Sequence, residues 1–157
     1  RDAKFRTVTV RSEVFLGGRV YFCEHGTPEL VWRSEWQAQT NATVSIPEFV
    51  VASSTPDSEA KDFAKLLNGE NEKNQVAFDG GAVTVLSEAQ YGERYGALTP
   101  SLDGRVSIFG ALVFRTTDRD ALNNMLNVGI DGAESQIERD RTLVRVSQFD
   151  ALIEFID

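Results

Sequence analysis

The chain has 157 residues, 41% of them hydrophobic and 25% charged, which suffices for one domain with a proper core and argues against global disorder. A net charge of −8 with scattered Lys and Arg argues against nucleic acid as a partner. One cysteine, Cys23, leaves no intrachain disulfide and fits a reducing cytoplasm. No apolar run approaches the roughly 20 residues of a membrane span, and the charged start RDAKFR is not a signal peptide, so neither a membrane partner nor secretion is expected.

Residues 1 to 25 read as strands. Thr7, Val8, Thr9 and Val10 are β-branched, Leu16-Gly17-Gly18-Arg19 is a hairpin turn, and Arg19 to His25 returns as a strand. Gly26 and Pro28 end it. Trp32 and Trp36, four apart, share a face of a short helical turn, and Gln37 to Thr43 is the best linker candidate. Ile46 to Ala52 is a Val/Ile-rich strand, followed by a helix with Thr55 as N-cap, Pro56 at its first position and Gly69 as its left-handed stop. Gln75 to Phe78 and Ala82 to Leu86 flank a hairpin at Asp79-Gly80-Gly81. Ser87 caps a short helical turn ending at Tyr95, whose stretch Tyr91 to Gly96 is a candidate lid. A strand from Val106 to Phe114, a helix capped by Thr117 and stopped by Gly129, and a final strand pair about Gln148-Phe149-Asp150 complete the chain.

Two stretches say the same thing twice. SIPEFVVASSTPDSEAKDFAKLLNG from Ser45 and SIFGALVFRTTDRDALNNMLNVG from Ser107, about 62 residues on, align Ser45 with Ser107, Ile46 with Ile108, Val51 with Val113 and Thr55 with Thr117. From Ser45 the order is βαββ, a connection, and βαββ, with room for one more short strand per unit.

This arrangement resembles the vicinal oxygen chelate superfamily, which includes glyoxalase I, extradiol dioxygenases and bleomycin-resistance proteins. More closely, Tyr21-Phe22-Cys23-Glu24-His25-Gly26-Thr27-Pro28-Glu29-Leu30-Val31-Trp32-Arg33 is similar to a signature of a bacterial glyoxalase-like subfamily, with Glu24 and Gly26 in place of its usual Gln and Leu. The resemblance implies an α+β fold of tandem βαβββ modules with curved, mostly antiparallel sheets. It assigns 41–157 to a two-module domain, with modules of about 44–104 and 105–157. It assigns 1–40 to the closing strands of a preceding module plus a linker. Those strands are expected to pair with each other and then pack on the domain or on a second copy of the chain, and a homodimer or a missing N-terminal module is the expected partner.

Members of the superfamily that are enzymes bind one divalent metal through residues on the first and last strands of two modules, and the metal acts as a Lewis acid. Carried over, the first-strand position of the first module falls on Glu48, and its repeat counterpart is Gly110, which cannot ligate. The last strand of the second module offers Glu154; that of the first, Ala82 to Leu86, offers no ligand, with Glu88 beyond its end. The expectation is a degenerate, non-catalytic domain that binds a small molecule or supports a larger protein. The alternative is a lyase, isomerase or dioxygenase using Zn, Ni, Fe or Mn on a small oxygenated metabolite.

The residues also allow plainer readings. Glu154, between apolar neighbours, is either a ligand or a carboxylate paired with an arginine such as Arg145. His25, the only histidine, is either a metal or pocket residue or a histidine bonded to the Thr27-Pro28 turn. Trp32, Trp36, Tyr91 and Tyr95 are candidate pocket walls or ordinary packing. Glu48 and Glu154 facing one another would repel, unless a metal or an arginine lies between them. No tightly held metal is expected, and Glu154→Gln is then expected to leave folding almost unchanged or slightly improved.

Overall fold

The computed structural model describes residues 2–37 and 41–157, so residues 38–40 of the candidate linker lie outside the described residues. Two strands, β1 (Phe5–Thr9) and β2 (Tyr21–His25), pair antiparallel as a sheet of their own. The other strands form one eight-stranded sheet. They are β3 (Thr43–Ser53), β4 (Glu70–Glu72), β5 (Gln75–Phe78), β6 (Gly81–Ser87), β7 (Ser107–Thr116), β8 (Ala133–Ile137), β9 (Arg141–Val146) and β10 (Ala151–Ile156). Their spatial order is β4-β5-β6-β3-β7-β10-β9-β8.

Read outward from the centre, each half runs first strand, last strand, then the two between. The central β3–β7 pair is antiparallel, β3–β6 and β7–β10 are parallel, and the outer pairs are antiparallel. The fold is thus the expected α+β arrangement with a mostly antiparallel sheet. The short strands β4 and β8 are the extra strand of each unit. Both are polar and exposed, so they carry no alternating apolar signal in the sequence.

Helix α1 (Pro56–Leu67) lays Ala60 and Phe63 on Val51, Val76, Val83 and Val85; helix α3 (Arg119–Asn127) lays Leu122 and Leu126 on Val144 and Phe155. The end signals differ in detail from the sequence reading. Asn68, at φ 50°, is the left-handed residue closing α1. Gly69 is required for another reason: a Cβ there would run into the Ala77 carbonyl. The cap of α3 is Asp118, whose carboxylate accepts from the Ala121 amide, one residue beyond the expected Thr117.

Side chains alternate across a strand, so Val50 and Ala52 of β3 face away from the side that Val51 gives to α1. That other side is covered by helix α2 (Glu88–Tyr95), which packs Tyr91 and Tyr95 with Val50, Ala52, Ala111, Val113, Leu143 and Leu152. The start of α2 is well specified: the Ser87 hydroxyl accepts from the Gln90 amide, and the Gln90 side chain accepts from the Ser87 amide. The loop between β1 and β2 is longer than a hairpin turn at Gly17-Gly18 would make it, because Phe15 is drawn down onto Phe63, with ring centroids 4.3 Å apart. No helix among the described residues is long and apolar enough to cross a membrane.

Candidate functional site

The sheet turns Glu48 and Glu154 toward the same side, from the first strand of one half and the last strand of the other. Both stand opposite Val113 of β7, one on each flank. Burying two carboxylates this close demands a cation. Arg94 of α2 supplies it. Its Nη1 and Nη2 donate to Glu48 Oε1 and Oε2 at 2.9 Å each, and Nη2 also donates to Glu154 Oε2 at 2.8 Å. This fork on a carboxylate is the geometry at which guanidinium excels.

Glu154, 4% exposed, gathers two more contacts. The Tyr95 hydroxyl donates to its Oε2 at 2.9 Å, and Arg141 Nη1 lies 3.6 Å from Oε1. Arg141 in turn donates to the Arg94 carbonyl at 2.9 Å and pairs with Glu138 at 2.7 Å, tying β9 to the end of α2. Arg145, the partner expected from the sequence, instead pairs with Asp150 at 2.7 Å, because it flanks the turn that the Asp150 backbone makes at φ 49°.

The electrostatics follow from this packing. Burial raises the Glu48 pKa, but the hydrogen bonds from Arg94 and Thr84 and the charge of Arg94 outweigh it, leaving Glu48 below its usual 4.5. Burial lowers the Arg94 pKa, and the Glu48 hydrogen bond with the charges of Glu48 and Glu154 more than reverses it. Burial pushes the Tyr95 hydroxyl up; Arg94 opposes this and Glu154 adds to it. At neutral pH, then, Glu48 is a carboxylate, Arg94 and Arg141 are guanidinium ions, and the Tyr95 phenol keeps its proton.

A pH dependence follows. A depressed folded pKa means that the unfolded chain binds the proton more tightly, so the stabilisation from Glu48 is present above pH 4.5 and lost as pH falls through the folded value. Urea midpoints measured from about pH 6 down to about pH 3 should fall, and Glu48→Gln should flatten part of that slope. The expectation that Glu154→Gln is nearly silent is corrected by the same geometry. Arg94, Arg141 and Tyr95 all turn to this carboxylate, so the substitution should cost about 2 kcal/mol in chemical denaturation.

Gly110 explains how α2 reaches so deep. Val50 pairs with Ala111 and Val51 with Phe109, so Gly110 is the extra residue of a β-bulge in β7. Its carbonyl accepts from the Tyr91 hydroxyl at 2.7 Å, and a Cβ on Gly110 would lie 2.8 Å from the Tyr91 ring. The position that in the repeat corresponds to Glu48 is therefore glycine because Tyr91 occupies the space a side chain would need. Tyr91 and Tyr95 are buried and meet edge to face at 5.2 Å, filling this centre as packed core. Tyr91→Phe would leave the Gly110 carbonyl buried without its donor, an expected loss of about 1–2 kcal/mol in urea unfolding.

The remaining sequence candidates lie elsewhere. His25 ends β2, stacked on Trp32 at 5.4 Å and touched edge-on by Phe5 at 5.1 Å. Trp32 is exposed, and Trp36, also exposed, lies under the Arg33 guanidinium at 4.8 Å. Arg94 was missed as a site residue. A signal existed: Tyr91, Arg94, Tyr95 and Leu98 recur at the spacing of one helical face, placing an arginine inside an apolar stripe.

The residues do not fit the metal that the resemblance implies. Among the described residues no three His, Cys, Asp or Glu side chains gather closely enough to hold an ion. The two carboxylates at family ligand positions are already bonded to a fixed cation, and β6 sends Thr84 and Leu86 to this side.

No protein-family model matches the chain, and no curated protein matches its sequence. Among solved structures it is similar to methylmalonyl-CoA epimerase from Mycobacterium tuberculosis, with 14% identity, 79% of this chain and 94% of that chain covered, and a TM-score of 0.54. It is also similar to a Streptomyces coelicolor methylmalonyl-CoA epimerase in complex with 2-nitronate-propionyl-CoA, with 16% identity, coverage of 73% and 96%, and a TM-score of 0.44. These epimerases belong to the vicinal oxygen chelate superfamily. The chain has the vicinal oxygen chelate fold.

Proposed function

We propose that this is a non-catalytic member of the vicinal oxygen chelate superfamily, a supporting or binding domain whose family cleft is closed by its own helix α2. The observation that carries the reading is Arg94. Its guanidinium bonds Glu48 and Glu154 together, and Tyr91 on the same helix needs glycine at position 110. A permanent side-chain cation supplies the charge that balances two carboxylates. It has no open coordination position for a substrate oxygen, so the Lewis-acid role cannot pass to it. The single cysteine fits a cytoplasmic setting.

The second reading, a metal-dependent lyase, isomerase or dioxygenase, rests on the placement of Glu48 and Glu154 on the first and last strands of opposite halves. It requires α2 to withdraw. Elemental analysis after incubation with Zn, Ni, Fe or Mn and exhaustive dialysis separates the two. The non-catalytic reading expects metal far below one equivalent and no glyoxalase turnover. A stoichiometric metal that survives dialysis and disappears in Glu154→Gln would establish the second reading instead.

A further inference from the structure

On the opposite side of the sheet from Arg94, the loop and strand that lead to β2 stand over the central strands and leave a half-open cavity of about 570 Å³. That volume is in the range of small-molecule sites. Its lining is almost wholly apolar, with Phe22 from β2, Phe63 from α1, Phe78 from β5, and Phe49, Phe109 and Leu112 from the central strands. Phe22, Phe49 and Phe109 are each at least 40% exposed, an unusual concentration of aromatic surface in one concavity.

The roof is held in place by close packing. A Cβ on Gly18 would lie 2.5 Å from the Phe109 ring, and one on Gly17 would lie 2.7 Å from the Ser107 hydroxyl. Together with Phe15 buried against Phe63, these contacts fix the loop on β7 and α1.

One charged residue lines the cavity, Arg19, and it is exposed to solvent. Its guanidinium reaches the Thr9 hydroxyl at 3.4 Å and the Tyr21 ring at 5.7 Å, and among the described residues it pairs with no carboxylate. A half-open apolar cavity with one uncompensated cation at its solvent edge is complementary to an apolar body that carries a single negative charge.

We infer that this cavity is a binding site for a small amphipathic monocarboxylate, of the class of medium-chain fatty acids, with the chain among the phenylalanines and the carboxylate on Arg19. The inference does not depend on the reading of the Arg94 side. The test uses decanoate and decanol, followed by calorimetry and by amide shifts of Phe49, Phe109 and Leu112. Decanoate should bind one per chain with a Kd below about 1 mM. It should bind about five-fold more tightly than decanol. Arg19→Gln should remove that preference without removing decanol binding, and Phe109→Glu should abolish both while the chain stays folded by circular dichroism. Absence of saturable binding, or binding that Phe109→Glu leaves intact, would overturn the assignment. So would a dimer that Phe109→Glu dissociates, since a second copy would then occupy the cavity. Shifts confined to Arg94, Tyr91 and Tyr95 would also overturn it, and would count against the closed cleft as well.

Discussion

Replacing Arg94 with methionine is expected to lower the free energy of unfolding by about 3 kcal/mol, the scale for breaking a buried ion pair by removing one partner. Methionine keeps much of the volume, so the loss measures charge and hydrogen bonding more than a cavity. Glu48 and Glu154 would then face one another with Arg141, 3.6 Å from Glu154 and shared with Glu138, as the remaining counter-charge. The variant should regain stability as pH falls below about 5, opposite in sign to the wild type, because protonating either carboxylate relieves the repulsion. Glu48→Gln combined with Glu154→Gln in the Arg94→Met background should recover most of the loss, since a neutral set leaves no buried charge unpaired. A loss below about 1 kcal/mol in urea unfolding would mean that the network is an exposed, screened one.

The second large effect is expected at Gly110. Alanine there places a methyl group 2.8 to 3.1 Å from two ring carbons and the hydroxyl oxygen of Tyr91, which is itself fully buried. The expected cost is about 2 kcal/mol, typical of overpacking a filled core. Glutamate, which would restore the residue that the repeat carries at position 48, should do more damage by forcing α2 off the sheet. Pairing Gly110→Ala with Tyr91→Ala should recover part of the loss, because the second change opens the space the methyl needs. Additive losses in that double variant would show that the close approach is not what Gly110 provides.

Much of the fold was legible from local signals. The Val/Ile runs of β3 and β7, Pro56 at the start of α1 and the two-residue turn before Gly81 are each strong ones. Strands β4 and β8 were less legible because ENE and AESQI lie exposed at the sheet edges, where no buried face imposes alternation. The two carboxylates were found by their place on the strands. Their counter-ion was not, since nothing within ten residues of Glu48 or Glu154 points to an arginine 46 residues from one and 60 from the other. The role of Gly110 was legible only as a missing ligand. That it admits Tyr91 is a fact of packing between a bulge and a helix, invisible until both are placed.

The closed cleft is tested most directly by amide hydrogen exchange along α2, measured with and without excess Zn and Mn. Tyr91, Arg94 and Tyr95 lie on a capped helix in the core, so their amides should exchange as slowly as those of Val50 and Val113. Their protection should not change when metal is added. Faster exchange confined to α2 in the presence of metal, together with uptake of one ion per chain, would show the helix leaving Glu48 and Glu154 to a metal. That result would contradict the account.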